Sequence, residues 1–171
     1  MVYPIVKYGH PVLEQRGEDI VEFDTPELHK LIEDMFESMY AAKGVGLAAP
    51  QIGIGKRIAV IDLSTGEDPA QKFVLINPEI IAREGSQKSE EGCLSVPTFR
   101  EEVTRPNKVT VKAQDAKGVS FELTGTELLA RALLHETDHL NGKLYINHIS
   151  PLKRDLIRRR VRKLQKAGEW E

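Results

Sequence analysis

The chain has 171 residues, 40% hydrophobic and 29% charged, with a formal net charge of −2. That is enough for one domain with its own core, and a net charge near zero excludes a polyanion-binding surface spread over the whole molecule. A single cysteine excludes a disulfide-stapled scaffold, and no apolar run approaches the ~20 residues that cross a bilayer.

The N-terminal Met1-Val2-Tyr3-Pro4-Ile5-Val6-Lys7 lacks the basic-then-apolar pattern of a signal peptide, so we expect a cytoplasmic protein without a membrane partner. The first predicted element is a helix over 25–42. Leu28, Leu31, Ile32, Met35, Phe36 and Met39 share one face, Thr25 is a capping residue, and Pro26 suits the first turn. A glycine-rich loop, Gly44-Val45-Gly46-Leu47-Ala48-Ala49-Pro50-Gln51-Ile52-Gly53, follows. It lacks the G-K-[ST] ending of a phosphate-binding loop, and Gly44 and Gly46 would let a substrate backbone come close.

The middle reads as strands. Arg57–Leu63 and Lys72–Asn77 are β-rich runs. Val109, Val111 and Ala113 alternate with polar residues, as do Val119, Phe121 and Leu123, with a hairpin turn at Asp115-Ala116-Lys117-Gly118. Glu90–Ser95 reads as a turn. A second helix, over 126–140, is apolar almost all round and therefore buried. A third follows Pro151, with Leu152, Leu156, Ile157, Val161 and Leu164 in one stripe. Residues 151–171 carry a net +5, which leaves −7 for the rest. The expectation is a single catalytic domain over 1–171 of the α+β class. A largely antiparallel sheet would pack around the buried central helix, with a further helix near each end and the basic one over 151–168.

The strongest chemical signal is His135-Glu136-Thr137-Asp138-His139 on that buried helix. Side chains at i and i+4 lie one turn apart on one face, so both imidazoles can reach one metal ion, and Glu136 beside them can exchange a proton with water. Two histidines buried without such a purpose would be costly. A third ligand is needed. In the pattern H-E-x-x-H-x-x-G-x-x-H, Gly142 fits but Tyr145 stands where the last histidine would be; His148 is a downstream alternative, on a loop or strand end. Upstream, Cys93 in Glu91-Gly92-Cys93-Leu94-Ser95 offers a thiolate. Two histidines and one cysteine suit zinc, iron, cobalt or nickel and leave a position open. From these residues alone, a zinc endopeptidase and a non-catalytic metal-stabilised module stay open beside an amidase.

Three segments converge on one family. Gly44–Gln51, Glu91–Ser95 and His135–His139, in this order and spacing, resemble bacterial peptide deformylases over nearly the whole chain. The resemblance implies hydrolysis of the formyl amide of N-terminal formylmethionine on nascent proteins, giving formate and a free amine. It implies metal binding by Cys93, His135 and His139, with ferrous iron expected and zinc, nickel or cobalt as replacements. Glu136 would be the catalytic acid/base, and the Gln51 amide with the Leu94 N–H would receive the oxyanion. The substrate would be bound by Gly44, Val45 and Gly46 as an added strand, and also by Glu91, Gly92, Arg100, Leu128, Arg131 and Ala132. Glu91 would pair with Arg105, and Asp138 would orient a ligand imidazole. The basic helix would dock on ribosomal RNA.

Overall fold

A computed structural model describes residues 1–170. Three α-helices and seven strands follow in the order α1 (Pro26–Ala41), β1 (Gly46–Ala48), β2 (Ile58–Asp62), β3 (Lys72–Glu84), β4 (Gln87–Cys93), β5 (Val96–Arg105), β6 (Lys108–Gln114), β7 (Ser120–Thr126), α2 (Glu127–Leu140) and α3 (Pro151–Lys166). Five strands form one sheet in the order β1-β2-β3-β6-β7, and β4 pairs with β5 in a separate hairpin. Every pairing between these strands is antiparallel. The α+β expectation therefore holds.

The pattern of burial explains the sheet. All five residues of β2, Ile58-Ala59-Val60-Ile61-Asp62, are buried. A strand reads as a continuous apolar run when both faces are covered. Here Ile58 and Val60 pack with Leu28, Met35, Phe36 and Met39 of α1. On the other face Ile61 packs with Ala132 and Leu133 of α2, and Ala59 with Leu140. The sheet thus lies between α1 and α2, which is why α2 is apolar nearly all round. Thr25 caps α1 by accepting from Leu28 N–H at 3.1 Å, and Pro26 occupies the first turn.

The strand β3 runs seven residues past the predicted end at Asn77. Asn77 and Pro78 sit in a register irregularity against β6, where a missing proline N–H does no harm. Asn77 takes φ 51°, and its amide holds the N-terminal strap by bonding both N–H and C=O of Ile20. The glycine-rich segment is more ordered than a loop: it forms the edge strand β1 and a 3-10 turn, Ala49–Ile52. Glu90–Ser95, read as a turn, is the end of β4 and its connection to β5. Polar residues dominate this hairpin because both of its faces are largely outside the core, so no hydrophobic alternation marks it. In α3 only Ile157 and Val161 of the expected stripe are buried; Leu152 and Leu156 are 70% and 55% exposed. No helix among the described residues is long and apolar enough to cross a membrane.

Candidate metal centre

The buried helix α2 carries His135 and His139 one turn apart, with ring centroids 5.0 Å from each other. The β4–β5 hairpin brings Cys93 against them, its Sγ 3.3 Å from His139 Nε2. One ligand atom from each of the three residues falls within 4.8 Å of the others, and this is the only such cluster among the described residues. Burial pushes the Cys93 thiol up, but His139 and His135 outweigh it and bring the pKa down to about 5, so a thiolate is the natural state here. His135 is held well above its usual range: burial opposes the charge, but bonds to Cys93 and Glu91 overcome it.

Glu136, the acid/base expected from the sequence, lies beside the two histidines on the same helix. Burial raises its affinity for a proton, against the opposing pull of His135 and His139. Its Oε1 is fully buried and has no hydrogen-bond partner within the protein, as has Nδ1 of His139. A buried carboxylate oxygen without a partner is costly unless something polar completes it. A soft thiolate, two imidazoles and an unsatisfied acceptor beside them fit a divalent ion with its water. His148 is not part of the cluster, because its Nε2 bonds Asp138 Oδ2 at 2.8 Å.

Glu91 organises the surroundings. One oxygen accepts from His135 Nδ1 at 3.0 Å, which turns Nε2 towards Cys93. Arg105 bonds both oxygens at 3.0 Å, as expected, and Arg131 adds a short third contact. Burial pushes the Glu91 pKa up, but His135 and Arg105 outweigh it and bring it down to about 2. Expected among the substrate-binding residues, Glu91 lies in the cleft wall but has its carboxylate committed to these three side chains. Asp138, expected to orient a ligand imidazole, bonds neither His135 nor His139. It accepts instead from Arg105 at 2.7 Å and from His148. It faces away from the cluster because its position on the helix points it at Arg105, and Glu91 takes the role.

Gln51 is buried on the 3-10 turn after β1. Its Oε1 accepts from Ala48 N–H at 3.0 Å, which fixes the amide so that Nε2 faces Cys93 Sγ at 3.5 Å and Ser95 Oγ at 3.3 Å. The glycines have a use beyond the one expected. A Cβ on Gly46 would lie 2.4 Å from Glu136 Oε2, and one on Gly44 would lie 2.8 Å from Leu94 Cδ1. They make room for the protein's own side chains around the centre. A cleft of about 460 Å³ opens here, and Gly44, Val45, Gly46, Gln51, Gly92, Leu94, Arg100, Leu128, Arg131, Ala132 and Glu136 all line it. Leu128 stands at the rim, 55% exposed. Arg100 pairs with Glu90 at 2.8 Å on the outer edge. Arg131 donates to the carbonyls of Ser89 and Val103 as well as to Glu91.

Some neighbours are not marked as site residues by the sequence. Ser95 receives the Gln51 amide, Tyr145 stacks on the His135 ring at 6.4 Å, and Thr98 and Phe99 complete the cleft wall. No spacing rule links these positions to the histidines.

Residues 2–155 match the family model described as polypeptide deformylase. The chain belongs to the polypeptide deformylase family. The peptide deformylase of Acidobacterium capsulatum is 63% identical over 170 residues, covering 99% of each chain. That of Thermodesulfovibrio yellowstonii is 49% identical over 94% of this chain and 97% of its own. Among solved structures, a peptide deformylase from Legionella pneumophila superposes with TM-score 0.89 at 44% identity, over 100% of this chain and 99% of that one. The peptide deformylase from Thermus thermophilus gives 0.87 at 40% identity over 95% of each. As a member of this deformylase family the chain is an enzyme, and the cluster on α2 and β4 is its candidate metal centre.

Proposed function

We propose that this deformylase removes the N-formyl group from the N-terminal formylmethionine of nascent proteins, releasing formate and a free amine, with one divalent ion on Cys93, His135 and His139. The observation that carries the reading is the unpartnered Glu136 oxygen beside these three side chains. Ferrous iron is the expected ion, with zinc, nickel or cobalt as replacements, all compatible with a thiolate and two imidazoles. When bound, the ion supplies Lewis acidity and brings the pKa of water towards 7.

The protein's own groups do the rest. Glu136, whose burial favours its protonated form, accepts the proton of the attacking water and passes it to the leaving amine. The Gln51 amide, pinned by Ala48, and the Leu94 N–H donate to the oxygen that becomes negative. The free side of β1, an edge strand, together with Gly44 and Val45 just before it, can pair with an extended peptide at Gly44, Val45 and Gly46. Val45, Leu128 and Ala132, with the Arg131 stem, form the apolar wall for the methionine side chain, and Gly92 and Arg100 flank the peptide. Glu91 contributes by orienting His135.

The basic face of α3 belongs to the same reading. Arg159, Arg160, Arg162, Lys163 and Lys166 are exposed, as is Arg158; Arg158 is tied to the Tyr8 hydroxyl at 3.0 Å and Arg159 pairs with Asp155 at 2.9 Å. We assign the exposed face to ribosomal RNA, in the cytoplasm where formylated chains emerge. Phosphate contacts of that kind release counterions and weaken steeply with salt.

The deciding experiment compares formyl-Met-Ala-Ser with its acetyl analogue and with an internal-peptide substrate. Formate release from the first, with little turnover of the others, is the expected result. Equal turnover of formyl and acetyl peptides, or cleavage of internal bonds, would sink the assignment.

A further inference from the structure

The register of the β4–β5 hairpin leaves a gap. Cys93 pairs with Val96 and Gly92 pairs with Arg100, so Pro97, Thr98 and Phe99 have no partner across the hairpin. Thr98 adopts φ 72°, a left-handed conformation that a β-branched residue rarely takes. Both Thr98 and Phe99 line the substrate cleft. A strained, unpaired stretch three residues long needs other contacts to hold one shape.

Those contacts come from the C-terminal segment. The Trp170 ring meets the Phe99 ring edge-on, with centroids 6.2 Å apart and planes at 65°. The Trp170 Nε1–H donates to the carbonyl of Tyr8 at 2.8 Å, and the Tyr8 N–H donates to the carbonyl of Ser95 at 2.7 Å. Trp170 thus reaches both ends of the stretch, through Phe99 on one side and through Tyr8 and Ser95 on the other. Two more contacts from the same part of the chain brace β5. Ile157 and Val161 of α3 pack in one cluster with Val96 and Val103, and Lys153 pairs with Glu101 at 3.5 Å. Tyr145 completes the support by donating its hydroxyl to the Phe99 carbonyl at 3.2 Å.

We infer that Trp170 is a positioning residue for the substrate cleft: its ring holds Phe99, and so keeps the unpaired Pro97–Phe99 wall in its binding-competent shape. The inference rests on the amidase reading for its substrate. Trp170 does not touch the reacting atoms, so its loss acts on binding more than on chemistry. An aromatic pair of this kind corresponds to roughly a two- to tenfold effect on affinity.

The test uses the full-length, metal-loaded enzyme and formyl-Met-Ala-Ser. Trp170→Ala should raise KM roughly two- to tenfold while kcat stays within about twofold. Trp170→Phe keeps a ring on Phe99 and should restore KM to near wild type. A second readout needs no change at Trp170. It is the only tryptophan in the chain, so its emission reports this contact directly. In Glu136→Gln, which is expected to bind without turnover, saturating formyl-Met-Ala-Ser should shift Trp170 emission, and adding Phe99→Leu should abolish the shift. Formate release by the wild-type enzyme tests the amidase reading separately. If wild type turns over normally, three results would each overturn the role of Trp170. These are an unchanged KM in Trp170→Ala, a Trp170→Phe as impaired as the alanine variant, and an emission silent to substrate.

Discussion

At the scale of single residues, the centre depends on what is absent as much as on what is present. Glu136 can lie against the backbone of β1 only because position 46 has no side chain. Gly46→Ala places a methyl where the Glu136 carboxylate sits, so the carboxylate must swing into the cleft it lines and leave its place beside Cys93, His135 and His139. We predict that Gly46→Ala loses on the order of 10²-fold in kcat, similar to the loss of a general acid–base group. It should retain about one metal ion per chain, because Cys93, His135 and His139 are untouched. Formate release with metal analysis checks both parts, and wild-type turnover would mean that Glu136 is not held by this contact. The same close approach explains why the sequence reading of Gly46 was incomplete. A glycine in a loop signals that something comes near, but not whether the visitor is substrate or the protein's own carboxylate.

At the scale of elements, two strands carry features that can be tested. The left-handed Thr98 in β5 stores strain of about 1–3 kcal/mol, against which glycine's extra freedom in the unfolded chain costs ~0.5–1 kcal/mol. Thr98→Gly should therefore raise Tm by roughly 2–4 °C for a chain of this size. A lower Tm would show that the hydroxyl or methyl of Thr98 makes a contact worth more than the strain. The end of β2 carries a buried carboxylate, Asp62, which accepts from the Tyr40 hydroxyl at 2.5 Å, from Ser64 N–H and hydroxyl, and from Gly66 N–H. Burial pushes its pKa up, but the bonds from Tyr40 and Ser64 win and hold it below the ordinary 3.8. Burial and Asp62 together push Tyr40 up to about 12. Because the folded pKa is depressed, the stabilisation is present above pH 3.8 and fades as pH falls through the folded value. Asp62→Asn should lower stability at pH 7 by about 1.5–3 kcal/mol, the worth of hydrogen bonds to a charged group. Its stability should also fall less steeply than wild type below pH 4. Denaturant melts at pH 7 and pH 3 measure this, and parallel losses in both proteins would remove Asp62 from the account.

At the scale of the whole molecule, the centre ties together parts of the chain that are far apart in sequence. Cys93 comes from the β4–β5 hairpin, the histidines come from α2, and Glu91 joins the two through His135, Arg105 and Arg131. An ion held across this junction binds the folded state alone. At a free concentration a hundredfold above its Kd it would add about 2.7 kcal/mol. Removing it with a chelator should lower Tm by roughly 5–10 °C, and adding back zinc or nickel should restore it. The readout is thermal unfolding, independent of activity. An unchanged Tm in the Cys93→Ser variant and in the chelated protein alike would show that no ion bridges the hairpin and α2.

Some of this was determined by the sequence alone, because the physics involved is local. A helix with apolar residues all round must be buried, and i, i+4 histidines on it must share a face; neither statement needs the fold. The same holds for the cap at Thr25 and the alternation in β6 and β7. Cys93 was legible as a ligand candidate only by its chemistry and through the family resemblance, since its neighbours on the hairpin are polar and show no periodicity. What only the tertiary structure decided are the contacts between segments distant in sequence. Glu91 rather than Asp138 takes the His135 imidazole. Gly46 faces Glu136, His148 turns away from the cluster, and Trp170 closes on Phe99. In each case the partner is chosen by how the β4–β5 hairpin and the C-terminal segment dock on α2 and the sheet. That docking is set by packing and charge pairing across many residues, and no spacing along the chain encodes it.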